Sequence, residues 1–153
     1  MGILNSLKSF VGQTPSPPVT PIAASLPIIN KKVLIVEDEK MISDALVEVF
    51  KSEGYEVLTA ENGQVGLEVL NEKKADIVLL DLMMPVMDGK TMLHKIRENP
   101  EFKALPVIVL TNAGDAESMH ETKFYDNANE FLIKSNVNMG DLVQKVKMHL
   151  GTR

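Results

Sequence analysis

The sequence predicts an α/β fold in which five parallel strands form one doubly wound sheet, preceded by an extended or disordered N-terminal tail. Three observations support this prediction. From Val33 onward, short apolar runs alternate with segments of helical periodicity. The runs "VLIV", "IVLL" and "VIVL" are apolar at every position, which is typical of parallel strands covered on both faces. Residues 1–30, by contrast, hold five of the eight prolines and only one charged side chain, Lys8.

The composition change near residue 30 divides the chain into a proline-rich tail, 1–30, and a domain, 31–153. "QTPSPPVTPIAASLP" is typical of an extended linker. Before it, a helical segment would place five apolar side chains near one face: Ile3, Leu4, Leu7, Phe10 and Val11. This short amphipathic segment, residues 1–12, has three candidate docking sites: a partner, a membrane surface or the protein's own domain. The alternative to docking is a disordered tail, and this is the interpretation that we favour from the sequence.

In the first half of the domain, the sequence pattern predicts three strands and two helices. "VLIV" (33–36) is the first strand, and apolar residues at helical spacing follow from Met41 to Phe50. Gly54 ends that helix. "EVLTA" (56–60) is the second strand, and a helix with Gly66, Leu67 and Leu70 on its inner face leads to "DIVLL" (76–80).

The second half continues the alternation. Asp88 and Gly89 predict a turn in which Gly89 supplies a positive φ, and a helix follows over about 90–98. "PVIVLT" (106–111) is the fourth strand, and a less regular helix lies between Asp115 and Asp126. "EFLIK" (130–134) is the fifth strand. Apolar residues from Leu142 to Leu150 line the last helix.

Composition limits the classes of function. A chain of 153 residues that is 44% hydrophobic is typical of one globular domain with its own core. The net charge of -5, with no basic stripe, predicts no direct binding to nucleic acid. The absence of cysteine excludes disulfides and thiolate metal sites. With no apolar run of transmembrane length, we expect a cytoplasmic protein.

Polar side chains follow the predicted strands where ligands bind in parallel sheets, beyond the carboxyl ends. They are Glu37, Asp38 and Glu39 after strand one, Asp81 after strand three, Thr111 at the end of strand four and Lys134 at the end of strand five. Each has an alternative structural explanation, such as Asp38 capping the next helix. Together, however, clustered carboxylates repel one another unless a cation joins them, and their hard oxygen ligands suit Mg²⁺.

As a set, these motifs resemble the receiver domain of two-component response regulators, over about residues 31–150. The motifs are "VLIVEDE", "DIVLLDLMMPVMDG", "PVIVLT" and "FLIK". The resemblance implies a flavodoxin-like five-stranded fold and a stand-alone, chemotaxis-type receiver. It implies that Asp81 accepts a phosphoryl group, with Mg²⁺ as the cofactor. The donor would be a phosphohistidine of a histidine kinase or of a phosphotransfer protein.

The resemblance also assigns roles to the other residues. It implies that Glu37, Asp38, Asp81 and the backbone carbonyl of Met83 hold Mg²⁺. It implies that Thr111 and Lys134 contact the phosphoryl group, and that Thr111 and Phe131 form the conformational switch. The chain departs from the family pattern at Ser135, because a proline usually follows the lysine.

No effector domain follows Leu150, so we expect a switch that acts by binding a downstream target protein rather than an enzyme. Two alternatives stay open. One is an interaction module that is never phosphorylated. The other is an aspartyl-phosphate phosphohydrolase, which would need a second acid near Asp81 as general acid. The residues that follow Asp81, "LMMP", do not supply one.

Overall fold

The computed structural model describes residues 28–118 and 127–152, which form one five-stranded sheet flanked by helices. The elements are β1 (Lys32–Val36), α1 (Lys40–Ser52), β2 (Glu56–Ala60), α2 (Gly63–Lys73), β3 (Ile77–Asp81), α3 (Gly89–Glu98), β4 (Val107–Thr111), α4 (Ala113–Ser118), β5 (Glu130–Ile133), a 3-10 turn (Lys134–Asn136) and α5 (Met139–Leu150). The interpretation of residues 1–27 as a tail lies outside the described residues.

All strand pairs in the sheet are parallel, and the strand order is β2-β1-β3-β4-β5. The predicted fold class is therefore confirmed. The direction of winding reverses between β1 and β3, so the carboxyl ends of these two strands border the crevice where ligands bind in such sheets. Within the described part of the chain, no helix has the length and apolar character needed to cross a membrane.

Two apolar cores cover the two faces of the sheet. Successive side chains of a strand point to opposite faces, so each inner strand contributes alternate residues to each core. The first core contains Leu34, Val36, Val78, Leu80, Val107 and Val109, with residues of α2 and α3. The second contains Val33, Ile35, Ile77, Leu79, Ile108 and Leu110, with residues of α1 and α5. This double burial explains why β1, β3 and β4 have almost no polar positions.

Several boundaries differ from the predicted ones by a residue or two. Asp81 is the last residue of β3 rather than the residue after it, whereas Lys134 lies just beyond β5. Helix α4 begins at Ala113, before the predicted Asp115, and the rest of that predicted helix lies mostly outside the described residues. Gly54 ends α1 as predicted, with φ of 91°. Helix α1 is preceded by Glu39, so Asp38 does not cap it.

The prediction that Gly89 supplies a positive φ is wrong, because the positive-φ glycines of the described chain are Gly54 and Gly151. Gly89 is the first residue of α3, and Asp88 caps that helix by accepting a hydrogen bond from the Thr91 N–H at 2.8 Å. A Cβ at Gly89 would lie 2.2 Å from the carbonyl oxygen of Asp81. Glycine is therefore required by the close approach of α3 to the end of β3.

We expect Gly89→Ala to lower the free energy of unfolding by about 1 to 3 kcal/mol, because the new methyl group overlaps the backbone of β3. Gly114→Ala is the matched control, since a Cβ there meets nothing within 4 Å. That exposed helical position should be neutral or gain about 0.5 kcal/mol. Urea denaturation of both variants measures the difference. Equal stability of the two variants would contradict the packing argument.

Candidate functional site

Two buried carboxylates lie at the carboxyl ends of β1 and β3, with a third beside them. Glu37 and Asp81 are each 4% exposed, whereas Asp38 is exposed to solvent. One carboxylate oxygen of each residue lies within 4.8 Å of the others. The backbone N–H of Glu37 donates to the Ala60 carbonyl at 3.0 Å, which continues the β1-β2 ladder and fixes where the first acid points. The fold therefore brings the predicted acidic residues together.

Lys134 supplies the positive charge of this cluster. Its Nζ lies 2.7 Å from Oε2 of Glu37 and 3.4 Å from Oδ2 of Asp81. Burial by itself lowers the pKa of Lys134, but the hydrogen bond to Glu37 and the charge of Asp81 outweigh it and hold the pKa above its usual value. The lysine therefore stays protonated, and it bridges β5 to the ends of β1 and β3.

The same environment raises the pKa of Asp81 to about 7. Burial is the largest cause, and the negative charge of Glu37 is the second. Lys134 and the backbone N–H of Met83, which lies 3.4 Å from Oδ1 of Asp81, oppose the rise without cancelling it. Asp81 is thus the carboxylate of the cluster that needs further positive charge in order to stay ionised at neutral pH.

The chemistry of this cluster fits a hard divalent cation. Among the described residues, Lys134 is the ammonium group paired with this cluster of three carboxylates, so the cluster carries an excess of negative charge when all three acids are ionised. Carboxylate oxygens suit Mg²⁺, which binds through one or two protein carboxylates while keeping several waters. Glu37, Asp38 and Asp81 are the residues that could hold it. The thioether of Met83 is a soft ligand, so only the backbone of that residue suits the same ion.

Thr111 and Phe131 lie on neighbouring strands on one face of the sheet. Thr111 pairs with Ile133, and Phe131 pairs with Val109, so the two side chains are diagonal neighbours. The Thr111 hydroxyl is buried, with 1% exposure, and donates to the Asn112 carbonyl at 3.4 Å. Phe131 is half-buried against the first core. The structure thus places the predicted switch pair side by side, with Thr111 at the carboxyl end of β4 and Asp81 at the carboxyl end of the neighbouring strand β3.

The loop between β3 and α3 has a feature that sequence reasoning missed. Val86 has φ of 67°, a rare conformation for a β-branched residue, and its side chain is 84% exposed. The N–H of Met87 donates to the Pro85 carbonyl at 2.8 Å across it, and the Met87 carbonyl accepts from the Gly63 N–H at 2.9 Å. Such a backbone conformation lowers the free energy of unfolding by about 1 to 3 kcal/mol, and it persists only where the surrounding structure fixes it. No signal in the sequence marks it.

The departure at Ser135 does not prevent Lys134 from reaching the acidic cluster. Lys134, Ser135 and Asn136 form a 3-10 turn that leads towards α5. Ser135 is exposed, and its Oγ donates to the Asn136 side chain at 3.3 Å. The ammonium group reaches both buried acids from this turn. A proline after the lysine is therefore unnecessary for the ion pair in this chain.

A family model and a curated relative both match this sequence, and they agree. The sequence model of the response regulator receiver domain family matches residues 33–147. Sporulation initiation phosphotransferase F of Bacillus subtilis is 36% identical over 96 residues, which cover 63% of this chain and 76% of that protein. The region that the family model matches contains all the residues of the acidic cluster, together with Thr111 and Lys134.

Solved structures of similar chains have the same fold. A response regulator of Chloroflexus aurantiacus, described as putative, is 30% identical with a TM-score of 0.72, and the match covers 80% of this chain and 99% of that one. Response regulator protein TrrA of Thermotoga maritima, in complex with Mg²⁺-BeF, is 35% identical with a TM-score of 0.69. That match covers 78% of this chain and 99% of TrrA.

We expect Asp81→Asn to stabilise the metal-free protein by about 1 to 3 kcal/mol above pH 7. A carboxyl group with a raised folded-state pKa favours folding while it is protonated. That contribution is fully present below the unfolded pKa of 3.8 and is lost as pH rises through about 7. The gain in the free energy of unfolding of Asp81→Asn over the unsubstituted protein should therefore be large at pH 8 and small near pH 4. Urea denaturation in the presence of a metal chelator measures it.

The control for this comparison is Asp44→Asn. Asp44 is an exposed residue of α1 that pairs with Lys40 across one helical turn, and such pairs contribute little. Its loss should change the free energy of unfolding by less than about 0.5 kcal/mol at either pH. A less stable Asp81→Asn protein at pH 8 would show that the Lys134 ion pair outweighs the burial of Asp81.

Proposed function

This chain belongs to the response regulator receiver domain family, and on that premise we propose that it is a magnesium-dependent switch whose Asp81 accepts a phosphoryl group from a phosphohistidine. The observation that carries the proposal is the position of Lys134, whose Nζ lies 2.7 Å from Glu37 and 3.4 Å from Asp81. A phosphoryl acceptor needs a carboxylate beside fixed positive charge, because phosphoryl transfer depends mainly on charge neutralisation.

The transfer moves one phosphoryl group between two side chains. A carboxylate oxygen of Asp81 forms a bond to phosphorus while the phosphorus–nitrogen bond of the phosphohistidine breaks, and the bonding pair leaves with the imidazole. Lys134 holds one positive charge at this position. Asp81 must be ionised to attack, and its pKa of about 7 makes this sensitive to the cation bound beside it.

The proposed magnesium ligands are Glu37, Asp38, Asp81 and the backbone carbonyl of Met83. The first three have oxygens within 4.8 Å of one another, and the backbone of Met83 already approaches Asp81 through its N–H. When bound, Mg²⁺ neutralises the acids and the incoming phosphoryl oxygens. The assignments are supported by the close spacing of these carboxylate oxygens, which are hard ligands, and by the pairing of two of the acids with Lys134.

The proposed switch is the pair Thr111 and Phe131. The hydroxyl of Thr111 donates across 3.4 Å, the long limit of a hydrogen bond, so it can be redirected towards a phosphoryl oxygen at small cost. Because Phe131 is a diagonal neighbour on β5, movement of Thr111 changes the space beside the ring. The altered position of Phe131 would then change the surface that a downstream target protein binds.

The partners of this switch follow from the proposed chemistry. We propose a histidine kinase or a phosphotransfer protein as the donor, in agreement with the name of the Bacillus subtilis relative, a phosphotransferase. That the chain acts as a stand-alone receiver, in the cytoplasm and without direct contact to nucleic acid, stays a prediction. So does its classification as a phosphoacceptor rather than an enzyme that turns over a separate substrate.

The two alternative functions are less well supported. A phosphohydrolase needs a general acid near the phosphorylated residue, and the residue two positions after Asp81 is Met83, whose side chain is not an acid. An interaction module that is never phosphorylated has no need of a buried acid whose pKa is raised at a cost to stability. The cluster of Glu37, Asp81 and Lys134 therefore favours the phosphorylated switch.

We expect one phosphoryl group on the chain after incubation with Mg²⁺ and acetyl phosphate, as measured by intact mass. The adduct should be labile to hydroxylamine, since it is an acyl phosphate, and Asp81→Asn should abolish it. Lys134→Gln should slow its formation by about a hundredfold, the usual effect of removing one charge-stabilising group. Asp44→Asn is the matched control and should be phosphorylated at the rate of the unsubstituted protein.

Each other result supports an alternative. Rapid hydrolysis of acetyl phosphate without a trapped adduct, lost in Asp81→Asn, would indicate a phosphohydrolase. The absence of any adduct with acetyl phosphate and with several phosphorylated histidine kinases would indicate an interaction module. An adduct that survives Asp81→Asn would show that another residue is the acceptor.

We also expect Mg²⁺ to bind more weakly as pH falls, because the metal requires the ionised form of Asp81. With a pKa of about 7, the apparent dissociation constant should rise about tenfold between pH 8 and pH 6. Isothermal titration calorimetry measures it. Asp38→Asn should weaken binding yet keep the pH dependence, whereas Asp81→Asn should remove the dependence. Binding of equal strength at both pH values would contradict the assignment of Asp81 as a ligand.

A further inference from the structure

An apolar cavity of about 190 Å³ lies between α1 and α5 near the carboxyl edge of the sheet. Its apolar lining consists of Ile42, Leu46, Leu110, Val137, Met139 and Leu142. Lys134 is the remaining lining residue. Because its ammonium group is already paired with Glu37 at 2.7 Å, the cavity does not require an anion from whatever occupies it.

The size of the cavity indicates what it can hold. Sites for cofactors and other small molecules usually measure about 300 to 1,000 Å³, so this one is too small for most of them. Lys134 is the polar residue of the lining and is already paired with Glu37, so the cavity offers few partners to hold water. It suits one or two apolar side chains of a polypeptide. Met139, on its rim, is 40% exposed, so the lining is open at the surface.

The N-terminal segment of the chain joins the domain on the same face. Ile29 packs against the second core, which contains residues of α1 and α5. The N–H of Ile29 donates to the Gly54 carbonyl at 3.0 Å, just beyond the last turn of α1. The chain therefore reaches the domain at the carboxyl end of α1, while the cavity lies near the amino end of the same helix.

The length of the preceding segment is sufficient to reach the cavity. Helix α1 has 13 residues, which correspond to about 20 Å at about 1.5 Å per residue. Residues 12–27 span up to about 50 Å when extended at about 3.1 Å per residue, and their prolines favour that extended form. The first eleven residues can therefore reach the amino end of α1.

The chemistry of the first eleven residues complements the cavity. Ile3, Leu4, Leu7, Phe10 and Val11 would share one face of a helix, and Lys8 is the single charged side chain of residues 1–30. A segment of this length is too short to be a stable helix by itself and needs a surface to pack against. Connection to the domain gives it an effective concentration in the millimolar range, which favours a site within its own chain.

We propose that residues 3–11 dock with their apolar face over the cavity between α1 and α5 of the same chain. The docked segment covers Ile42 and Met139 and lies beside Lys134, next to the acidic cluster. This occupant is favoured over a second copy of the chain because the linker spans the required distance. It is favoured over a membrane because the cavity and the exit of the chain lie on one face of the domain.

The chain has no cysteine, so pairs of introduced cysteines report on this contact directly. The test pair is Phe10→Cys with Met139→Cys in the full chain. The control pair is Phe10→Cys with Glu72→Cys, an exposed position on α2 at the opposite face of the sheet. Under mild oxidation we expect the test pair to form an intramolecular disulfide at least about tenfold faster, independently of micromolar protein concentration.

A second pair of variants separates apolar docking from chance encounter. Leu7→Asp places a charge on the apolar face and should remove the rate advantage of the test pair. Ser9→Asp adds the same charge to the opposite face of the segment and should preserve it. Both substitutions lie outside the two cores of the domain, so we expect neither to alter its folding. Deletion of residues 1–27 should also increase hydrogen exchange in the first turns of α1 and α5 but not in α2.

Three results would overturn the proposal. Equal rates for the test and control pairs would show that the segment does not prefer this cavity. Disulfides that form mainly between two chains, with a rate that rises with concentration, would identify a second copy as the occupant. Loss of the intramolecular disulfide together with co-sedimentation on anionic lipid vesicles would identify a membrane surface as the preferred site.

Discussion

Repulsion between the buried carboxylates of Glu37 and Asp81, offset by the ammonium group of Lys134, is the interaction on which the site depends. These groups come from the ends of β1 and β3 and from the turn after β5. Burial and the charge of Glu37 raise the pKa of Asp81 to about 7 even with Lys134 beside it. Because one lysine cannot neutralise three carboxylates, the cluster suits a divalent cation, in agreement with the proposed magnesium-dependent transfer.

Holding like charges together requires a rigid frame, and the two cores provide it. Each inner strand is packed on both faces, so the ends of β1 and β3 cannot move apart to relieve the repulsion. At the opposite edge, the guanidinium of Arg97 on α3 donates to the carbonyls of Asn127 and Leu105 at 2.7 and 2.9 Å. This network ties the start of β5 to the body of the domain, and thereby supports the strand that leads to Lys134.

The parts that can change lie at the edges of this frame. The hydroxyl of Thr111 makes a long hydrogen bond, Phe131 is half-buried, and Val86 holds a strained backbone conformation. Local strain and weak bonds are tolerated because the two cores stabilise the rest of the domain. The proposed site is thus less stable than the frame that carries it, as expected where binding of a ligand must alter the structure.

The sequence by itself determined that the domain has five strands and that they form a parallel sheet covered on both faces. It also identified the polar residues at the carboxyl edge of that sheet, which are Glu37, Asp38, Asp81, Thr111 and Lys134. Apolar runs and helical spacing are local properties, and the carboxyl ends of parallel strands always meet. Only the tertiary structure decided that the pKa of Asp81 is raised, why Gly89 must lack a side chain, and where Val86 is strained. These depend on distances between residues that are far apart in the chain, such as that between Glu37 and Lys134, which no local pattern encodes.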